Sequence, residues 1–157
     1  MNRDQVLQEL RERFGEHIVD LYDKSPKRVY LEIDPASLVK VASHIFKELN
    51  ARFNIASALD ARTHTEILYH FSLEDINLLV SLRVKLDRQN PSIDSLAPVF
   101  RGAAWIEREM SELLGIEFRG HPDMRRLLLA DEWPRGVHPL RADYQEWDEN
   151  AVRDRGV

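Results

Sequence analysis

The sequence predicts an α+β fold, a mixed or antiparallel sheet covered by helices, followed by an extended C-terminal segment that docks on a partner. Three observations lead there. Residues 65–73 and 76–86 alternate apolar and polar side chains with the period of a strand. Asp34-Pro35 opens a stretch with helical spacing of apolar residues. Beyond residue 118 the periodicity stops, yet large apolar side chains continue. A division into an α+β domain (1–118) and an extended segment (119–157) is expected.

Residues 3–14 repeat apolar positions at Val6, Leu7, Leu10 and Phe14, which predicts a short amphipathic helix stopped by Gly15. Two strand-like runs follow, 17–22 and 28–33, separated by the turn chemistry of Asp23-Lys24-Ser25-Pro26. Asp34 then caps free backbone N–H groups, and proline at the first helical position sacrifices no hydrogen bond. That helix is expected to reach Leu49, with Leu38, Val41, Ala42, Ile45 and Leu49 inward.

Three β signals come next. Residues 53–59 form the first, and 65–73 alternate through Ile67, Tyr69, Phe71 and Leu73. Residues 76–86 place Ile76, Leu78, Val80, Leu82, Val84 and Leu86 on one face, and the two residues Glu74-Asp75 suit a tight hairpin. The order α-β-β-α-β-β-β belongs to a sheet with helices on one face. After a turn near 90–98, a last helix ends at Leu114 with Gly115 as its cap. Its expected stripe is Val99, Ala103, Ile106, Met110 and Leu113.

From Ile116 the texture changes. Gly120-His121-Pro122, Trp133-Pro134, Gly136 and Pro139 break regular structure, leaving 124–130 as room for a turn or two of helix. Leu127, Leu128, Leu129, Trp133, Val137, Leu140, Tyr144 and Trp147 are spread along this stretch. An extended segment with such side chains cannot form its own core, so it must lie on its own domain or on a partner. Beyond Lys85 all ten basic residues are arginine, whose fork suits carboxylate pairing at interfaces.

Composition excludes several function classes. The formal net charge of −5 argues against nucleic acid or anionic lipid as the main partner. With no cysteine the chain cannot hold an iron–sulfur cluster in the usual way, nor a disulfide or thiol nucleophile. No segment approaches the roughly 20 apolar residues that cross a bilayer, and residues 1–15 carry acidic groups unlike a secretory or transit peptide. A cytoplasmic location without membrane insertion is the expectation.

Chemistry candidates are sparse. Glu107-Arg108-Glu109 with Glu112 is the densest charge cluster on a helix; Glu109 and Glu112 share a face, but no Glu-x-x-His pattern or second such helix supports a metal. A solvated or interface-facing surface is expected instead, with Arg108 and Glu112 paired four residues apart. His121-Pro122-Asp123 resembles an acid–base pair, but a histidine near a turn is more often an anchor. Asp131-Glu132 and Asp148-Glu149 are carboxylates on loops without recognisable partners. A free-standing small enzyme using His121, or an adaptor for an unrelated protein, are the readings from other classes.

One set of residues forms a longer pattern. Glu107-Arg108-Glu109, then Glu112, Leu113-Leu114, His121, Arg125 and Leu127-Leu128 resemble the characteristic segment of the 30-kDa subunit of complex I, the proton-pumping NADH:quinone oxidoreductase. His138-Pro139-Leu140-Arg141-Ala142-Asp143-Tyr144 is similar to that family's closing segment, with Ala142 at a usual lysine and Gln145 where a proline often stands. The stretch 127–134 is closer to the related subunits of energy-converting membrane-bound [NiFe] hydrogenases.

The resemblance implies a non-catalytic structural subunit of the hydrophilic arm, peripheral on the cytoplasmic side of the membrane. No catalytic, cofactor or metal residue is expected in this chain; iron–sulfur clusters and flavin or nickel would sit in partner subunits. The implied partners are the large quinone-site or [NiFe] subunit and the adjacent small iron–sulfur subunits. Glu107, Arg108, Glu109, His121, Asp123, Arg125, Arg126, Trp133, Pro139, Leu140 and Arg141 are the implied interface positions.

Overall fold

A computed structural model gives the structure of the protein over residues 1–146. Trp147, Asp148 and Glu149 lie outside the described residues. Helix α1 (Arg3–Phe14) opens on a capping box: the Asn2 side chain accepts from the Gln5 amide at 2.9 Å, and the Gln5 side chain accepts from the Asn2 amide at 2.8 Å. It buries Val6, Leu7, Leu10 and Phe14. Gly15 has φ −51°, so it does not stop the helix in the left-handed region as expected; the chain tightens into a 3-10 turn, Gly15–His17.

Strand β1 (Ile18–Ser25) outlasts the expected run, and Pro26-Lys27 makes the turn into β2 (Arg28–Ile33). The Asp34 side chain accepts from the Ser37 amide at 3.1 Å, with Pro35 beside it. A 3-10 turn (Pro35–Ser37) leads into α2 (Leu38–Ser43), which widens into a π turn (His44–Glu48). Leu38, Val41, Ala42 and Ile45 are buried as expected, and Leu49 is half-buried.

Strands β3 (Arg52–Asp60), β4 (His64–Leu73) and β5 (Leu78–Asp87) form an antiparallel meander. The expected two-residue hairpin is a four-residue loop instead: Leu73 pairs with Leu78, Ile76 leaves the strand, and Asn77 adopts φ +52°. Asparagine tolerates that left-handed conformation better than other non-glycine residues, which lets the loop close there.

The sheet order is β1-β2-β5-β4-β3, with β2 and β5 the parallel pair. It is therefore mixed, as expected. Val29 and Leu31 of β2, Val80 and Leu82 of β5, and Tyr69 and Phe71 of β4 stand in register on one face. They meet α1, α2 and the last helix in one core.

That last helix, α3 (Ala103–Leu114), starts later than the stripe suggested and is turned differently. Its buried positions are Ala103, Glu107, Met110 and Leu114; Leu113 and Ile106 are half-buried, and Val99 precedes the helix. Two three-residue strands unforeseen in the sequence, β6 (Ser92–Asp94) and β7 (Glu117–Arg119), pair in parallel on either side of α3. Ile93 and Phe118 face each other there, both buried. Among the described residues no helix is long and apolar enough to cross a membrane.

Candidate docking site

The extended segment is rooted on a buried carboxylate. Glu107 is 0% exposed, so the expectation of a solvated or interface-facing position fails for it. Its oxygens accept from the Ser95 hydroxyl at 2.5 Å and from the Leu96 amide at 2.6 Å. His121 Nε2 lies 3.8 Å from the same carboxylate. Burial raises the Glu107 carboxyl above the usual range, against the pull of these hydrogen bonds. Tyr69 is wholly buried, and its hydroxyl is pushed up first by burial and then by the charge of Glu107.

His121 is an anchor. Its Nε2 donates to the Ala104 carbonyl at 2.9 Å, and its Nδ1 accepts from the Asp123 amide at 3.0 Å. Both ring nitrogens are thus turned to backbone groups. Beside it the Arg125 guanidinium lowers the Asp123 carboxyl to about 2.

Also on α3, Arg108 and Glu112 do not pair with each other. Both reach across to the extended segment. Arg108 donates to the Arg125 and Arg126 carbonyls at 2.8 and 2.7 Å. Glu112 accepts from the amides of Leu127, of Leu128 at 2.9 Å and of Leu129 at 3.4 Å. Helical hydrogen bonds expected over 124–130 are replaced by this clamp, and no helix forms there. The guanidinium takes carbonyls and the carboxylate takes amides, so one helix face satisfies a strand of chain that has no sheet to join.

Further on, Arg126 ties the loop to itself, donating to the Ala130 carbonyl at 2.6 Å and to the Trp133 carbonyl. The Trp133 indole donates to the Val137 carbonyl at 2.8 Å, and its ring stacks on Tyr144 with centroids 6.2 Å apart. His138 donates from Nδ1 to the Glu112 carbonyl at 2.8 Å, and the Leu140 amide donates to the Leu113 carbonyl at 2.9 Å. These two bonds satisfy carbonyls at the end of α3. Gly115, at φ +74°, is essential to the fit: a Cβ there would stand 2.7 Å from the His138 ring.

The last latch is Asp60. Its side chain is 3% exposed and accepts from Arg88 at 2.8 and 3.1 Å, from the Arg62 amide at 3.0 Å and from the Ala142 amide at 3.0 Å. The Arg88 hydrogen bond foremost holds its carboxyl well below the usual range. Arg141 contacts the Arg88 carbonyl at 3.5 Å and pairs with Asp143 at 3.1 Å.

The implied interface residues therefore divide. Glu107, Arg108, His121, Arg126 and Arg141 face their own chain. Trp133 and Pro139 are half-buried, and Glu109 lies partly exposed on α3. Arg125 and Leu140 are exposed, and Asp123 is half-exposed. Sequence reasoning missed Glu112, Asp60, Arg88 and His138 as holders of the segment; a histidine before a proline was the one visible signal. Despite all these bonds, the His121 ring is the part of residues 120–146 that sinks into the body, and the rest stays half-buried or exposed. Met124, Leu128 and Leu140 turn outward, and Trp105 of α3 is 69% exposed.

Among known proteins, a subunit of the F(420)H(2) dehydrogenase of Methanosarcina mazei is 30% identical over 157 residues, covering 98% of this chain and 99% of its own. A subunit of the NADH-quinone oxidoreductase of Chloroherpeton thalassium is 30% identical, covering 87% of this chain, which spans 58% of that protein. Hydrogenase-4 component G of Escherichia coli is 27% identical, and this chain spans 26% of it. In fold, the chain matches one of the membrane-bound sulfane sulfur reductase, an archaeal respiratory membrane complex, with a TM-score of 0.79 at 17% identity, covering 92% of this chain and 86% of that one. It also matches a trypsin-resistant fragment of Nqo5 with a TM-score of 0.63 at 20% identity, covering 76% of this chain and 97% of the fragment. The family described as respiratory-chain NADH dehydrogenase, 30 Kd subunit, matches residues 31–150, and the chain belongs to that family.

Proposed function

We propose that this chain is a non-catalytic structural subunit of a complex-I-like respiratory oxidoreductase, and that residues 120–146 form its docking surface. Family membership and the names of the relatives, subunits of NADH-quinone oxidoreductase, of F(420)H(2) dehydrogenase and of a hydrogenase, support the role. The observation that carries the docking surface is an extended segment tied by hydrogen bonds to its own domain, with Met124, Leu128 and Leu140 turned outward.

The surface faces the large subunit of the quinone-site or [NiFe] type, with the small iron–sulfur subunits adjacent, on the cytoplasmic side of the membrane. Iron–sulfur, flavin or nickel centres belong to those chains. The relationship to hydrogenase-4 component G favours a second reading, the equivalent subunit of a hydrogenase. Both readings share the docking role. A stable interface of this kind buries at least about 2,000 Å2 in total.

Truncation tests it. Ending the chain after Asp123 retains His121 over Glu107 and the whole buried core, whereas a cut after Gly120 removes that anchor. The shortened chain is expected to fold, with unchanged circular dichroism, and to be absent from the complex purified from membranes. Normal assembly of the shortened chain contradicts the docking role.

A further inference from the structure

Resting on that docking reading, we infer that the outer row of α3, formed by Arg101, Trp105 and Glu109, packs against an amphipathic helix of another subunit of the parent complex. The three residues recur every fourth position, so they stand in one line that spans about 12 Å along the axis. Gly102 keeps right-handed helical angles (φ −60°, ψ −21°), and the Ala104 amide donates to the Arg101 carbonyl at 3.0 Å, so the row extends back into the turn ahead of α3. Arg101 is exposed, Trp105 is 69% exposed and Glu109 is half-buried. Among the described residues none hydrogen-bonds or ion-pairs with any of these three side chains.

A single exposed apolar residue means little on a protein surface. This one stands between an unspent guanidinium and an unspent carboxylate, on a helix fixed from two sides. Ala103, Glu107, Met110 and Leu114 bury its opposite face, and Arg108 and Glu112 on the adjoining row are spent on the backbone of residues 125–129. The extended segment thus covers the row beside Trp105 and leaves the Trp105 row bare. Arg101 and Glu109 lie two turns apart, too far to pair with each other, so each is open to an opposite charge from outside. The Trp105 ring offers a large area with little rotamer freedom to lose and an indole N–H to donate, the properties of side chains that dominate binding at interfaces.

The occupant's chemistry follows from that order. A helix offers an extended peptide no backbone groups to pair with, so an occupant must meet the row by side-chain packing. Rows of every fourth residue fit the grooves of a second helix. The match is a helix with an apolar position facing Trp105 and, one turn to either side, a carboxylate facing Arg101 and a basic residue facing Glu109. Because the row borders the docking segment, a subunit that covers one reaches the other, which favours that subunit over a second copy of this chain.

Photocrosslinking in the intact complex tests this. A benzophenone amino acid in place of Trp105 is expected to crosslink to one helical peptide of another subunit that carries the acidic–apolar–basic pattern. Trp105→Ala and the Arg101→Glu/Glu109→Arg double variant are each expected to lower recovery of the other subunits about tenfold, with the melting temperature of the free chain unchanged. Exchanging the two facing charges on the crosslinked helix is expected to restore recovery with the double variant. Crosslinks only within this chain, to a second copy of it, to lipid or to a peptide without that pattern overturn the inference. A lowered melting temperature in Trp105→Ala overturns it too, because the indole would then belong to the chain's own packing. If the wild-type chain itself fails to co-purify with other subunits, the docking reading fails; if it co-purifies and these variants behave as wild type, only the assignment of the Trp105 row does.

Discussion

Glu107 shows how much one side chain can decide. It occupies a position on α3 that the helical repeat turns inward, so its carboxylate must find donors inside the protein. Ser95 and Leu96 supply them from the loop ahead of the helix, and His121 closes the site from the other side. An apolar replacement would orphan that hydroxyl and amide, each costing about 1–3 kcal/mol when buried. Glu107→Leu is therefore expected to destabilise the chain by roughly 2–4 kcal/mol in urea titration. Glu107→Gln retains an acceptor and is expected to remain folded. The pH dependence separates the two forms further. Because the folded Glu107 carboxyl sits above its unfolded value, its contribution is full below the unfolded value and is lost as pH rises through the folded one. The Gln variant lacks that loss, so its urea midpoint should stay flatter than wild type as pH climbs from the ordinary glutamate range. A parallel slope in both proteins would place the titration elsewhere.

At the scale of elements, α3 does two jobs with its two faces. Ala103, Met110 and Leu114 seat it on the sheet, while Arg108 and Glu112 hold residues 125–129 by their backbone. Glu112→Ala removes the acceptor for three successive amides and leaves the sheet untouched. Amide exchange at Leu127 and Leu128 is expected to accelerate about tenfold or more, the loss of one charge-assisted bond, while β4 and β5 remain protected. Equal exchange in both proteins would mean the clamp holds nothing. The strands around this helix were legible because alternation at 65–73 and 78–86 is local and dense. The clamp was not legible. Arg108 and Glu112 sit four apart on a helix, the spacing of an ordinary surface pair, and nothing local reveals that backbone groups from another part of the chain compete for both. Glu107 was misread for the same reason: beside Arg108 and Glu109 a glutamate looks solvated, and only the partner loop at 95–97 explains its burial. Strands β6 and β7, three residues each, are too short to leave a pattern.

Across the whole molecule, the division between sheet-and-helix body and latched segment is a division of stability. The body has a continuous core from α1 to Phe118, whereas residues 124–146 contribute nothing to that core and depend on hydrogen bonds to α3, to its end at Gly115 and to Asp60. Hydrogen bonds near solvent contribute little net free energy each, so the segment should open without the body unfolding. Trypsin reads this directly, because the segment is rich in arginine and a protease cuts where a length of chain comes free of the fold. In the free chain, first cleavage is expected after Arg125, Arg126 or Arg135, although Arg11, Arg13, Lys24 and Lys47 are also exposed. A resistant fragment ending near residue 126 should persist, with its core strands still protected from exchange. In the assembled complex, the proposed docking on this segment predicts that the same arginines become resistant. Cleavage at Lys24 or Lys47 as fast as at Arg135 would show that body and segment open together, and the segment would then be part of one cooperative fold with no separate surface to offer.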